Sequence, residues 1–124
     1  MGRHILWIGL GGFLGSIGRY LTAVLMTRIW PSTFPLGTFV ANVLGCLIIG
    51  FVYGLSTRLN GMPPEWRLFL ATGFCGGYTT FSSFTFENAD LLQSGHYATF
   101  AWYTLSSFAI GLAAVFAGIL LAKL

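Results

Sequence analysis

The chain has 124 residues, a net charge of +3 and nine charged side chains in all. Charged residues make up 7% of it, against about 25% in an average globular protein. Apolar residues make up 56%, and mean hydropathy is +0.80. Nine charges cannot cover the surface of a soluble domain, so the apolar surface must face lipid. The six basic residues form no run, which argues against nucleic-acid binding.

Four hydrophobic segments follow one another, and together they predict a single transmembrane domain over residues 1–124. A membrane-spanning helix needs about 20 apolar residues. The first, second and fourth segments fit that length, whereas the third is interrupted. The links between segments are short and contain helix breakers, so neighbouring helices should run antiparallel. The predicted segments are 4–28, 36–58, 65–94 and 97–122, and the links are 30–35, 60–64 and 94–96.

The basic residues are distributed unevenly between the two ends of the predicted bundle. The N-terminus, the second link and the C-terminus carry Arg3, Arg58, Arg67 and Lys123, whereas the other side has Arg28 and Arg19. The positive-inside rule therefore predicts that both termini are cytoplasmic.

Two pairs of glycines have the GxxxG spacing that allows helix backbones to approach closely, Gly11–Gly15 and Gly50–Gly54. Packing within the chain is the favoured interpretation. An interface between subunits is the alternative. Cys46 and Cys75 lie in apolar stretches and are interpreted as small hydrophobic residues.

The third segment contains a cluster of glycines followed at once by Thr and Ser residues. Gly73, Gly76 and Gly77 come first, and Gly favours helix ends while Ser and Thr favour helix starts. This pattern predicts a helix broken near 73–79, at mid-membrane. Such a break exposes carbonyls suited to a cation on one side and N–H groups suited to an anion on the other. A packing kink without a ligand is the alternative.

Polar residues in the other segments support a pathway at this break. Asn42 and Thr38 share one face of the second segment, and Tyr103 and Ser107 share a face of the fourth. Taken singly, each is explained by helix–helix hydrogen bonding. Their convergence favours a path for an anion, since most of them are neutral donors.

Three further residues after or near the break bear on that path. Phe81 and Phe84 could turn their positive ring edges toward a small anion. Arg19 lies inside a span, so it should face protein or a water-filled vestibule, where it attracts anions or pairs with Glu87 or Asp90.

With these residues in view, the chain resembles the small bacterial fluoride channels of the Fluc or CrcB family. The resemblance extends over nearly the whole chain. It depends on Gly-Gly-Phe-Leu-Gly and Gly-Arg-Tyr within 11–20, Gly-Thr-Phe-Val-Ala-Asn at 37–42, and Gly-Phe-Cys-Gly-Gly-Tyr-Thr-Thr-Phe-Ser-Ser-Phe at 73–84. It implies a passive fluoride channel of the bacterial inner membrane that exports fluoride and lowers its toxicity. It also implies an antiparallel homodimer with dual topology, whereas the uneven basic residues favour one orientation.

The resemblance also implies roles for individual residues. Gly76 and Thr79 would supply backbone carbonyls to a structural sodium ion at the dimer centre, and no organic cofactor is expected. Arg19 and Glu87 would lie in the vestibule. The residues that would line the pore are Asn42, Phe81, Phe84, Thr38, Thr80, Ser82, Ser83, Tyr103 and Ser107.

Two other functions remain open from the residues alone. A proton-coupled small multidrug exporter would need a membrane acid, for which Glu87 is the candidate. A non-transporting assembly subunit is the second alternative. An enzyme is least favoured because no nucleophile–base pair is visible.

Overall fold

The structure is a computed structural model that describes residues 1–60 and 62–124. Within these ranges the chain forms helices and short connections and no strand, which confirms the all-α prediction. Helix α3 has three consecutive parts, Pro64–Arg67, Leu68–Cys75 and Gly76–Tyr78, the middle one wound as a π-helix. The other helices are α1 (Gly2–Ile29), α2 (Leu36–Arg58), α4 (Phe81–Gln93) and α5 (Tyr97–Ala122).

Three of the helices, α1, α2 and α5, are long and apolar enough to cross a membrane. The predicted segments 36–58 and 97–122 coincide with α2 and α5. The third predicted segment is divided between α3 and α4, neither of which meets the length and hydropathy of a span among the described residues. The predicted link 60–64 includes Gly61, which lies outside the described residues.

Helix α1 packs against α3 along a strip of glycines. A Cβ atom added at Gly73 would lie 2.8 Å from the Ile8 carbonyl oxygen and 3.0 Å from Gly11 Cα. One added at Gly77 would lie 2.6 Å from the Gly12 carbonyl oxygen. Only glycine permits these backbones to approach so closely.

Helix α2 packs against α5 in the same manner. A Cβ atom at Gly50 would collide with the Val115 backbone, and one at Gly118 would collide with Leu47. Gly54 lies against Ile119 and Ala122. The GxxxG residues of both predicted pairs therefore pack within the chain, which confirms the favoured interpretation.

The predicted interruption at Gly73, Gly76 and Gly77 is wrong in its position. All three residues are helical, and the chain leaves α3 only at Thr79. The physical reason is that Gly73 and Gly77 are required for contact with α1 rather than for ending a helix. The break consists of Thr79 and Thr80, both with extended backbone.

The break also lies off the middle of the neighbouring helix. Asn42, which contacts it, is the seventh residue of the 23-residue α2 and so lies nearer the start of that helix than its middle. With a rise of about 1.5 Å per residue, the break lies roughly 9 Å from the start of α2.

Helices α4 and α5 are joined by a tight turn at Ser94–His96. Gly95 has φ of 79°, the His96 amide donates to the Leu91 carbonyl at 2.8 Å, and the Gly95 amide donates to the Leu92 carbonyl at 3.2 Å. These bonds satisfy the last carbonyls of α4 and reverse the chain.

The contact between α1 and α3 can be tested by adding one methyl group. Gly73→Ala should lower the free energy of unfolding by about 1–3 kcal/mol, because the methyl meets backbone atoms that cannot turn aside. Thermal unfolding of the detergent-purified protein measures the effect. Gly9→Ala is the matched control in α1, since a Cβ there meets nothing within 4 Å. Equal stability of the two variants would contradict close packing at Gly73.

Candidate functional site

The centre of the candidate site is the two-residue break between α3 and α4. The Thr80 amide donates to Asn42 Oδ1 at 2.8 Å, and Asn42 Nδ2 donates to the Thr80 carbonyl at 3.3 Å. One side-chain amide on α2 therefore satisfies both backbone groups of Thr80. Gly45, one turn further along α2, lies against the Thr79 side chain and leaves space for it.

Helix α4 begins immediately after the break with a capped N-terminus. The Ser83 amide donates to Thr80 Oγ1 at 3.1 Å, and the Thr80 and Ser82 hydroxyls lie 3.3 Å apart. The N-terminus of a helix carries a partial positive charge and unpaired N–H groups. The structure therefore brings Thr80, Ser82 and Ser83 together at an electropositive helix end beside Asn42.

A second polar cluster joins α2, α4 and α5 around one carboxylate. Thr38 Oγ1 donates to Glu87 Oε2 at 2.7 Å, and Tyr103 Oη donates to Glu87 Oε1 at 2.8 Å. Tyr103 is fully buried, whereas Glu87 and Thr38 line a cavity of about 180 Å³ beside the loop between α1 and α2. The structure thus brings Glu87, which the sequence analysis assigned to the vestibule, together with two hydroxyl donors that it assigned to the pore.

Aromatic rings connect the two clusters. The Phe84 ring centroid lies 5.0 Å from that of Tyr103, and Phe81 lies 6.1 Å from Phe84. Phe81 is 77% exposed in the single chain, so its ring faces outward from the bundle. It borders a groove of about 360 Å³ that also contains Asn42 and Gly76.

Ser107 lies one helical turn beyond Tyr103 on α5. Its hydroxyl oxygen is buried and has no hydrogen-bond partner among residues 1–60 and 62–124. An unpaired buried hydroxyl costs about 1–3 kcal/mol. Ser107 is therefore a buried polar group that makes no hydrogen bond between helices in the part of the chain that the structure describes.

Arg19 does not pair with an acidic residue in the described chain. Its Nε donates to the Gly77 carbonyl at 3.2 Å, so the suggested pairing with Glu87 or Asp90 is wrong. The physical reason is the close α1–α3 contact, which places the Gly77 carbonyl beside Arg19.

The carbonyls of Gly76 and Thr79 lie on either side of the end of α3. A continued α-helix would bond the Thr80 amide to the Gly76 carbonyl, but that amide donates to Asn42. Neither carbonyl accepts any of the backbone hydrogen bonds made by the described turns and caps. Oxygen atoms of this kind suit a hard cation. Gly76 also borders the open groove, so the residues present fit a small cation.

Sequence reasoning did not identify Phe34. Its ring lies 5.3 Å from the Tyr103 centroid and 5.5 Å from that of Phe39, both in edge-on geometry. It therefore supports the Tyr103 ring whose hydroxyl reaches Glu87. The one feature of the sequence that could have pointed to Phe34 is its position between Pro31 and Pro35, which restrict the conformation of the loop.

The fold and this site define an all-α, multi-pass membrane protein in which polar residues of α2 and α5 meet those of the broken segment formed by α3 and α4. A family model described as CrcB-like protein, Camphor Resistance (CrcB), matches residues 6–119. The chain belongs to this family.

Several proteins that are similar to this chain over nearly its full length are named fluoride-specific ion channel FluC. The chain is 50% identical over 120 residues to the fluoride-specific ion channel FluC of Gloeothece citriformis, with 97% of each chain covered. It is 45% identical over 121 residues to the protein of that name from Azobacteroides pseudotrichonymphae, covering 98% of this chain and 97% of the other. The Flavobacterium psychrophilum FluC is 46% identical over 122 residues, covering 98% of each chain.

The clamp between Asn42 and Thr80 can be tested by truncation. Asn42→Ala should lower the free energy of unfolding by about 1–3 kcal/mol, because the Thr80 amide is left without its acceptor. Thermal unfolding in detergent measures the change. Asn88→Ala removes the same atoms from a buried site whose one bond, from Thr104 Oγ1, is long at 3.4 Å, and should cost less. The reverse order would contradict the clamp.

Proposed function

We propose that the protein is a fluoride-selective passive ion channel that exports fluoride from the cytoplasm and thereby lowers its toxicity. The observation that carries the proposal is the break at Thr79 and Thr80, where Asn42 and the start of α4 bring neutral donors together beside the groove that Phe81 borders. Nearly full-length relatives named fluoride-specific ion channels support the choice of ion. The multi-pass architecture and these relatives support a location in the bacterial membrane, which we take to be the inner one.

The hydroxyl donors suit a small anion that must lose its water. Hydrogen bonds are stronger in surroundings of low dielectric constant, so a few well-placed donors can replace part of a hydration shell. Thr38 Oγ1 and Tyr103 Oη both donate to the Glu87 carboxylate. A fluoride ion bound by these two donors would have to displace a carboxylate oxygen from each of them. We infer that fluoride competes with Glu87 for these two donors.

The aromatic rings provide a weaker and more size-selective contact. The edge of an aromatic ring carries partial positive charge, and Phe81 and Phe84 lie between the two polar clusters. A ring edge cannot donate a strong hydrogen bond, so an ion can leave as easily as it arrives. Weak binding at several sites favours conduction over trapping.

We propose that two copies of the chain assemble as an antiparallel homodimer. Phe81 and Gly76 border a groove that is open on the single chain. Exposed polar backbone at membrane depth is tolerated only where protein or a water-filled cavity covers it. A second copy over this groove would cover Phe81 and the carbonyls beside it. The four basic residues on one side favour one orientation. An antiparallel dimer therefore requires that the chain also inserts in the opposite orientation, against this charge bias.

A structural sodium ion at the centre of this dimer is proposed to be held by the Gly76 and Thr79 carbonyls. The Thr80 amide, which donates to Asn42 instead of the Gly76 carbonyl, supports it, as does the absence of both carbonyls from the backbone bonds of the described turns and caps. When bound, the ion would supply positive charge close to the N-terminus of α4, and these carbonyls would hold it without a charged side chain.

The channel proposal is tested by fluoride efflux from liposomes containing the purified protein. Fluoride should leave rapidly when valinomycin carries the balancing potassium current, and chloride should be excluded. Phe81→Ile and Phe84→Ile should each slow fluoride efflux by on the order of tenfold or more, since an aliphatic side chain has no positive edge. A fluoride electrode records the rates.

Phe86→Ile is the matched control for these variants. Phe86 lies on the same helix and is 73% exposed, close to the value for Phe81, but it takes part in neither polar cluster. Its variant should conduct like the unaltered protein. Equal passage of chloride and fluoride would disprove the proposed function, and equal slowing by all three substitutions would remove the two phenylalanines from the path.

The sodium proposal has a separate test. Replacing sodium by N-methylglucamine on both sides of the membrane, after prolonged dialysis, should reduce fluoride efflux, and restoring sodium should recover it. Potassium at the same concentration is the control for ionic strength. Full efflux without sodium, with the dimer intact by native mass spectrometry, would contradict a structural role for the ion.

A further inference from the structure

A groove between the ends of α2 and α5 lies far along these helices from the break. These two helices run parallel, because Arg58 at the end of α2 donates from Nη1 to the Ala122 carbonyl at the end of α5, at 2.9 Å. The groove has a volume of about 470 Å³. It is lined by Tyr53, Gly54, Thr57, Arg58, Ile119 and Lys123.

The lining divides into an apolar floor and a basic rim. Gly54 and Ile119 form the floor, and Gly54 lies directly against the Ile119 backbone. Arg58 and Lys123 provide two positive charges at the helix ends. The three acidic residues of the chain, Glu65, Glu87 and Asp90, all lie outside the groove.

The Arg58 guanidinium is held in place without losing its capacity to bind a ligand. A guanidinium has five N–H donors, and one bond, to the Ala122 carbonyl, is formed within the described chain. The remaining donors suit a phosphate group, which arginine binds in bidentate geometry. Tyr53 adds a hydroxyl group to the lining, whereas the Thr57 hydroxyl donates to the Tyr53 carbonyl at 3.1 Å.

We propose that this groove binds the headgroup and upper acyl chain of an anionic phospholipid. The ends of two membrane-spanning helices lie at headgroup depth, and basic pockets between such helices favour anionic lipids. The phosphate lies against Arg58 and Lys123, and the acyl chain lies over Gly54 and Ile119. A free phosphate ion would use the rim but would leave the apolar floor uncovered, so the combination favours lipid. This site does not depend on the channel proposal.

The test is a titration of the detergent-purified protein with dioctanoyl phosphatidylglycerol or dioctanoyl phosphatidylcholine, followed by native mass spectrometry. The unaltered protein should retain phosphatidylglycerol at lower concentration than phosphatidylcholine. The double variant Arg58→Gln, Lys123→Gln should weaken retention of phosphatidylglycerol by on the order of tenfold and leave phosphatidylcholine unchanged.

The control is the double variant Arg3→Gln, Arg28→Gln, which removes the same charge from positions outside the groove. It should bind both lipids like the unaltered protein. Equal loss in the two double variants, or no preference between the lipids, would overturn the site.

Displacement of the lipid by millimolar glycerol phosphate would overturn the lipid assignment in favour of a phosphate ion. A change in subunit number in the Arg58 and Lys123 variant, with no lipid retained by either protein, would identify the groove as an interface between copies.

Discussion

The exposed backbone of a helix broken inside a membrane protein must be satisfied, and the reciprocal pair of hydrogen bonds between Asn42 and Thr80 meets that requirement. Because the Thr80 amide bonds to α2, it cannot continue α3, and α4 starts with a new N-terminus. The direction of that N-terminus, the free Gly76 carbonyl and the positions of Ser82 and Ser83 all follow from this one contact. The candidate site is therefore a product of how the chain stops one helix and begins another.

Glycine contacts determine where the polar residues can meet. They bring α1 against α3 and α2 against α5, so each pair is held at backbone distance. Helix α4 is connected to the bundle through polar contacts as well as ring packing, since Glu87 accepts bonds from Thr38 on α2 and Tyr103 on α5. Close backbone packing thus holds together the pairs α1–α3 and α2–α5, while the polar contacts help to position α4, which carries Phe81 and Phe84.

Much of the fold could be predicted from the sequence, because hydropathy and short links constrain membrane helices strongly. The exact position of the break could not be predicted, because glycine is common both at helix ends and at close helix contacts. Only the tertiary contact with α1, for example at Gly12, shows that these glycines serve packing. The hydrogen-bond partners of Glu87 could not be predicted from the sequence either. Sequence suggested Arg19 as its partner, but the separation of α1 from α4 is a tertiary property. Residues one turn apart on one helix, such as Thr38 and Asn42, were easier to group, because helical spacing alone places them on one face.

The limited apolarity of α4 has a consequence for biogenesis. Neither α3 nor α4 is a span in its own right, so the translocation machinery would meet a segment with little intrinsic tendency to enter lipid. The partners that offset its polar groups, Thr38 and Asn42, are on α2, which is synthesised earlier, whereas Tyr103 on α5 emerges later. Helix α4 would therefore become stably membrane-embedded only after α5 leaves the ribosome. In that order of synthesis, α5 would supply the Tyr103 donor that holds α4 in the membrane.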